Sequence, residues 1–342
     1  MSTIKIFGDK LLYSPFDFPE FVVKFKKTGV EPVTTAKNAN IISSSYMYIL
    51  DKWIKKFGAT KKYLLWTHEP YHDWTYKSQV KRNGVLVHVM NCYTRDVFTH
   101  NYRYFYFLDP INWNGHKPSR NVPSIVALST YYQSEYYKGN KWTTLPLRYK
   151  VIEEGYKRGL VDVHGKGWEK HPVVDSVGNS RNDSDRRQSK EDILKQYRFN
   201  ICLENTCFPH YVTEKIWESI RWGCLPIYYS NSTIYQTFTR TSFIDVKDFI
   251  EKAKGNEAEG IKNMYDYLEN MTEQEWCERY RECVRVFNYI IESGYNTTGR
   301  LNGPNLNINY LEYDTCYEKL VDKIHKIFGK KKVSVKRRTT GP

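Results

Sequence analysis

No stretch of this 342-residue chain approaches the roughly 18 consecutive apolar residues that a membrane-spanning helix requires. The opening residues, MSTIKIFGDKLLYSPFDFPEF, lack the basic start and long apolar run of a signal peptide. The sequence therefore predicts neither an anchor nor a leader, and a cytoplasmic or peripheral-membrane location. Paired cysteines are missing as well. The seven cysteines (Cys92, Cys202, Cys207, Cys224, Cys277, Cys283, Cys316) are odd in number and scattered, with no CxxC spacing, which reads as free thiols in a reducing compartment. Neither a P-loop nor a GxGxxG fingerprint is present, so the common phosphate-cradling glycine loops are excluded. The acids and histidines fall into no convincing metal-ligand spacing. Internal repeats and low-complexity core segments are absent too.

What is present is a globular composition. Forty per cent of the residues are hydrophobic and 16% aromatic, too many for a disordered chain, and the length suffices for two domains. The net charge of +14 is uneven. Between Lys323 and Arg338 there are eight basic residues and no acid, more than half of the excess. The plainest reading is a solvated tail; attraction to an anionic membrane surface comes next. Nucleic-acid binding is not expected, because no aromatic residue interleaves the charges after Phe328.

Strand and helix patterns alternate along the chain. Residues 4–7, 38–42, 63–66 and 85–90 read as strands, with a further one at 104–108. Ser45 is expected to cap a helix whose apolar stripe is Ile49, Leu50, Trp53, Ile54 and Phe57 and which Gly58 ends. The Pro-, Asn- and Gly-rich run 109–121 reads as a linker. Beyond it, 124–129, 160–165 and 243–246 read as strands, 147–157 and 261–294 as helical, 170–192 as a polar loop, and 314–328 as a last helix. The expected fold class is α/β, with two open parallel-sheet domains facing each other across a cleft. The predicted boundaries are 1–120, 121–312, and 313–342 for the last helix and basic tail.

The most informative segment is 197–230, YRFNICLENTCFPHYVTEKIWESIRWGCLPIYYS. Phe199, Ile201 and Leu203 alternate with Asn200, Cys202 and Glu204, the period of a strand. Thr213 is placed to cap a helix, with Glu214 and Lys215 in its first turn, Ile216, Trp217 and Ile220 on its inner face, and Gly223 past its end. Pro226 then opens another strand. Strand, helix and strand make a βαβ unit, and ligands of such units sit at the carboxyl ends of the strands. Glu204, Asn205, Tyr211, Thr213, Glu214 and Lys215 gather there.

The chemistry of those residues suits a diphosphate sugar. A lysine in the first turn adds a full charge to the N–H groups of a helix start, and the two together can hold a diphosphate as a leaving group. Glu214 suits sugar hydroxyls, or is simply a favourable charge at a helix start. Asn205 and Tyr211 either line the pocket or serve as turn former and core filler. Arg181, in the loop ahead of the motif, can reach a phosphate; Arg186 and Arg187 compete for that role. In the first domain Glu69 directly follows a buried strand and is the candidate general base, with His68, His72 and Asp73 as alternatives. No metal is assigned.

The segment resembles the donor-binding signature of the α-1,3-fucosyltransferases, glycosyltransferase family 10: an aromatic-led strand, Glu-Asn, a short loop, Tyr-Val-Thr-Glu-Lys, a helix, then Pro-Ile. The stretch 161–167 is similar to the family's Asp-x-Tyr/Phe-Gly turn, and Trp66-Thr67-His68-Glu69-Pro70 to its Glu-Ser-Pro-type segment, without the Ser. The resemblance implies a GT-B fold of two Rossmann-like domains, with GDP-fucose bound by the second. It implies transfer of L-fucose with inversion to a hydroxyl, O3 by family similarity, of an acceptor oligosaccharide or glycoconjugate. Lys215 and Arg181 would contact the diphosphate, Tyr211 and Glu214 the ribose or fucose, and Glu69 would act as base. No cofactor is required, and a divalent cation would at most stimulate. The resemblance is to the soluble microbial members, whose basic C-terminus touches membrane. The alternatives are a GT-B enzyme using another nucleotide sugar, or a non-catalytic basic protein that binds membrane or glycan.

Overall fold

The structure is a computed structural model, and it describes residues 3–11, 19–67, 77–91, 109–115, 124–178, 186–209, 211–292 and 310–329. The chain divides into two compact units, one of residues 1–99 with 301–342, the other of 100–300. Each is a Rossmann-like α/β layer, as the sequence predicts for a GT-B-type chain.

The first unit contains β1 (Ile4–Gly8), α1 (Pro19–Lys27), β2 (Val30–Pro32), β3 (Ile41–Ser44), α2 (Met47–Phe57), β4 (Lys62–Thr67), β5 (Gln79–Arg82) and β6 (Val85–Asn91). Its sheet runs in the order β2-β1-β3-β4-β6-β5. All neighbours are parallel except β5 and β6, which form a hairpin with Arg82 opposite Val85. That two-residue turn needs positive φ at both positions, and Asn83 (48°) and Gly84 (76°) supply it. The α2 helix ends where expected, with Gly58 at φ 54°, but its start differs: Tyr46 is the N-cap residue, and Ser44, not Ser45, accepts the Tyr46 N–H at 3.2 Å. Ile54 and Leu50 of α2 pack on Tyr63 and Leu65 of β4 in this unit's core.

The second unit contains β7 (Ile125–Leu128), α3 (Ser134–Tyr137), α4 (Leu145–Lys157), β8 (Val161–His164), α5 (Arg186–Leu194), β9 (Phe199–Ile201), α6 (Glu214–Arg221), β10 (Leu225–Tyr228), β11 (Ile244–Asp245), α7 (Val246–Lys252), α8 (Glu257–Asn270) and α9 (Glu273–Glu292). The sheet order is β11-β10-β9-β7-β8, every pair parallel. The chain runs from β7 to β8 on one side and returns to β9 on the other. The strand order thus reverses between β7 and β9, the point in such sheets where ligands bind. The expected βαβ unit is β9–α6–β10, with Phe199 opposite Leu225 and Ile201 opposite Ile227. Its helix is held by Ile216, Trp217 and Ile220, all fully buried; each such side chain contributes about 1.5–3 kcal/mol.

Two expectations need correction here. Residues 186–194 form α5 instead of continuing the polar loop, and Arg186 and Arg187 open it. The described part of the expected linker, 109–115, is docked. Asn288 of α9 bonds both the Ile111 N–H (2.8 Å) and its carbonyl (3.0 Å), and Trp113 packs edge-on against Tyr280.

The last helix, α10 (Tyr310–Ile327), belongs to the first unit. Leu320, Val321 and Ile324 are buried, and His325 Nε2 lies 3.0 Å from the Thr28 carbonyl. The predicted strand 104–108 and the tail beyond 329 lie outside the described residues. Among the described residues no helix is long and apolar enough to cross a membrane, and Cys202, Cys207, Cys224, Cys277 and Cys283 are free thiols.

Candidate donor site at the strand-order reversal

A small cleft of about 30 Å³ opens at the carboxyl ends of β7 and β9. Leu128 of β7 and Ser129 just beyond it line the cleft, with Arg148 from α4, Lys190 from α5, Asn200 and Ile201 of β9, Cys202 and Leu203 just beyond that strand, and Lys215 and Glu218 from α6. Its position follows from topology, since only at this reversal do the two flanking crossovers leave in opposite directions.

Glu204 is the hub. Its carboxylate has no exposed surface, yet it is richly bonded. Oε1 accepts the Thr213 backbone N–H (2.7 Å), the Thr213 hydroxyl (2.8 Å) and the Tyr228 hydroxyl (2.8 Å). Oε2 accepts Lys215 Nζ at 2.9 Å. A buried carboxylate is tolerable only when paired and hydrogen-bonded in this way. The Glu204 phenolic partner is affected in turn: burial and then the Glu204 charge push the Tyr228 hydroxyl well above its ordinary range.

Thr213 occupies the N-cap position of α6, as the sequence predicts, but its side chain does not cap. The hydroxyl donates to Glu204 and accepts from Lys215 Nζ at 2.8 Å. Lys215 is thereby fixed at two of its three ammonium hydrogens. Burial by itself would push the ammonium down, but the charges of Glu204 and Glu214 and the bond to Glu204 outweigh it, so Lys215 is held above the usual lysine range. Its side chain remains 26% exposed. Glu214 lies beside it, Oε1 to Nζ 3.8 Å. Desolvation acts upward on that carboxyl, but Lys215, Lys190 and hydrogen bonds at the helix start bring it down to about 2.

A second set of contacts holds the Glu-Asn corner from α4. Arg148, 5% exposed, donates from Nη2 to the Leu203 carbonyl (2.5 Å) and to Asn205 Oδ1 (2.9 Å). The Thr144 N–H donates to the Asn205 carbonyl at 3.0 Å, and the Thr144 hydroxyl to the Glu204 carbonyl. Asn200 ties β9 to α6 through Ser219 (2.7 Å), whose hydroxyl donates to the Lys215 carbonyl at 2.7 Å. Across the cleft Lys190 pairs with the nearly buried Glu218.

The structure thus brings together Glu204, Asn205, Thr213, Glu214 and Lys215. Tyr211 lies in the same loop but is 1% exposed, the burial of a core residue. Arg181 and Glu69 lie outside the described residues, as do His68, His72 and Asp73; β4 ends at Thr67, two positions before Glu69. Arg148 and Lys190 escaped the sequence reading. Arg148 had a signal: it precedes Ile152 by four positions, which sets a charge on the inner face of α4. Lys190 had none, being one cation among many in a polar stretch.

The corner after β8 closes the rim of the same end of the sheet. A Cβ on Gly165 would stand 1.9 Å from the Ser129 carbonyl oxygen, and one on Gly167 (φ 86°) 2.4 Å from that of Tyr131. Only glycine permits this approach, which seats residues 165–167 against 129–131.

Residues 139–283 match the family model described as glycosyltransferase family 10 (fucosyltransferase), C-terminal part. An alpha-(1,3)-fucosyltransferase, FucT, of Helicobacter pylori is 40% identical over 62 residues, 18% of this chain and 13% of that protein. Alpha-(1,3)-fucosyltransferase B of Drosophila melanogaster is 32% identical over 78 residues, 19% of this chain and 18% of that protein. The chain therefore matches less than a fifth of the length of either relative. Among solved structures, an alpha1,3-fucosyltransferase crystallised with GDP-fucose aligns over 97% of this chain and 92% of its own, at 16% identity and a TM-score of 0.46. The matched region contains the whole of 197–230 and the Glu204–Thr213–Lys215 cluster, so the segment singled out in the sequence lies within the stretch that is similar to family 10.

Proposed function

We propose that this chain is an inverting fucosyltransferase that moves L-fucose from GDP-fucose to a hydroxyl, O3, of an acceptor glycan sugar. The observation that carries the reading is the ammonium of Lys215, held charged at the start of α6 beside the strand-order reversal, within the stretch that matches family 10. A fixed cation and the free N–H groups of a helix start favour a diphosphate, and favour it more as it gathers charge on leaving.

In this mechanism the acceptor oxygen attacks C1 of fucose from the face opposite the nucleotide. The bond from C1 to the β-phosphate oxygen breaks, and GDP departs with that electron pair. Glu69 takes the hydroxyl proton. Lys215 and Arg181 bear the charge on the diphosphate. Glu214, ionised at neutral pH and 32% exposed, accepts hydrogen bonds from sugar hydroxyls, and Asn205 and Tyr211 shape the pocket around them. The positive charge at the leaving group comes from the protein, so the scheme requires no metal. The basic stretch from Lys323 onward supplies peripheral contact with an anionic membrane.

The test is incubation of the purified chain with GDP-fucose and an array of acceptor sugars, reading released GDP and the new linkage by NMR. Acceptor-dependent GDP release with an α-1,3-linked product is expected. Consumption of a different nucleotide sugar in its place would retain the fold and discard the donor.

A further inference from the structure

We infer that Glu204 is a positioning residue, one that acts on the donor only through the Lys215 ammonium it anchors. The inference rests on the reading of Lys215 as a diphosphate contact and goes beyond it. Direct contact between Glu204 and a ligand is blocked on two counts. The side chain has no exposed surface, and four donors already occupy its two oxygens. What it does reach is the cation. The ammonium has three N–H bonds. One goes to Glu204 Oε2 and one to Thr213 Oγ1, and Thr213 is itself locked onto Glu204. Two fixed bonds of a tetrahedral group determine the direction of the third. Lys215, otherwise a flexible four-carbon chain, is thus aimed before any ligand arrives.

Among the described residues the surroundings assign this task to Glu204 and to no other acid. Glu214 stands too far from Nζ, at 3.8 Å, for a hydrogen bond. Glu218 is engaged by Lys190 from α5. Arg148 from α4 opposes the Lys215 charge, as does burial itself. Tyr228 from β10 and Cys202 just after β9 are both pushed up, Cys202 to about 12, and remain neutral. Without Glu204 the ammonium would lose its principal counter-charge and one of its two anchors together.

A double-mutant cycle on GDP affinity, measured by calorimetry on the full chain, separates this from a role in folding. Glu204→Gln keeps the shape and removes the charge. It should weaken GDP binding about tenfold, the scale of one charge-assisted hydrogen bond. Lys215→Met should cost at least as much, and the double variant should bind no more weakly than Lys215→Met alone. A Glu204→Gln chain with wild-type affinity would overturn the inference. So would a tenfold loss that persists in the Lys215→Met background, since that would show a route bypassing the lysine. If Glu204→Gln does not fold, Tyr228→Phe removes one donor from the same carboxylate, and its smaller loss must likewise vanish in the Lys215→Met background. A wild-type chain that binds no GDP would instead overturn the donor reading underneath.

Discussion

At the scale of single residues, the site is a balance of charges in which position decides who meets the ligand. Among the described residues Arg148, Lys190, Lys215 and Glu218 line one cleft, and the carboxylates of Glu204 and Glu214 stand beside Lys215. Glu204 and Arg148 are buried, so they shape the site; Lys215 and Glu214 retain exposure, so they can touch a ligand. Lys215→Ala is therefore expected to lower GDP affinity by about tenfold to a hundredfold, the range of a lost charge pair to phosphate; unchanged affinity by calorimetry would remove its phosphate role. Glu69→Ala should slow transfer by about a hundredfold or more, as for loss of a general base, while GDP affinity stays within error. Transfer at the normal rate by that variant would return the base assignment to His68, His72 or Asp73.

At the scale of elements, a glycine after β8 and a histidine within β6 make their own predictions. Gly165→Ala pushes a methyl into the Ser129 carbonyl, so it should destabilise the second unit by about 3 kcal/mol in chemical denaturation, the upper part of the overpacking range. In the first unit, His88 of β6 is brought down to about 4 by burial and by the charges of Lys323 on α10 and Lys62 on β4. The unfolded chain, with an ordinary histidine near 6.5, then binds more protons between those values. The contribution from neutral His88 is complete above pH 6.5 and is lost as pH falls toward 4. The urea midpoint should drop over that window, and His88→Gln should flatten the drop; an identical pH profile for the variant would refute the assignment.

The same scale explains what could be read in advance. The β9–α6–β10 unit was legible because its signals are local: strand alternation, a Thr-Glu-Lys start, a Gly stop. The α5 helix was not, since its first seven residues are polar and leave no apolar stripe. The burial of Asn200 in β9 and of Glu204 beyond its end was not legible either, because it rests on the partners Ser219, Thr213 and Tyr228, which lie up to 24 positions away. The part Thr213 plays was hidden for the same reason. A cap is a local device, whereas the bond it makes instead crosses to another strand end.

At the scale of the whole molecule, two Rossmann-like units share one chain, and the chain's end returns through α10 to the first of them. The 139–283 match lies wholly within the second unit, so the family likeness speaks for that unit alone, and the proposed base is argued from the place of Glu69 after β4. The central claim is that this chain transfers fucose from GDP-fucose. The most direct measurement is turnover of GDP-fucose against an acceptor array, with the product linkage read by NMR. The account predicts GDP release that depends on acceptor, an α-1,3-linked fucosyl product, and loss of both in Lys215→Ala. Wild-type protein that leaves GDP-fucose untouched with every acceptor while consuming another nucleotide sugar, or none, would contradict it.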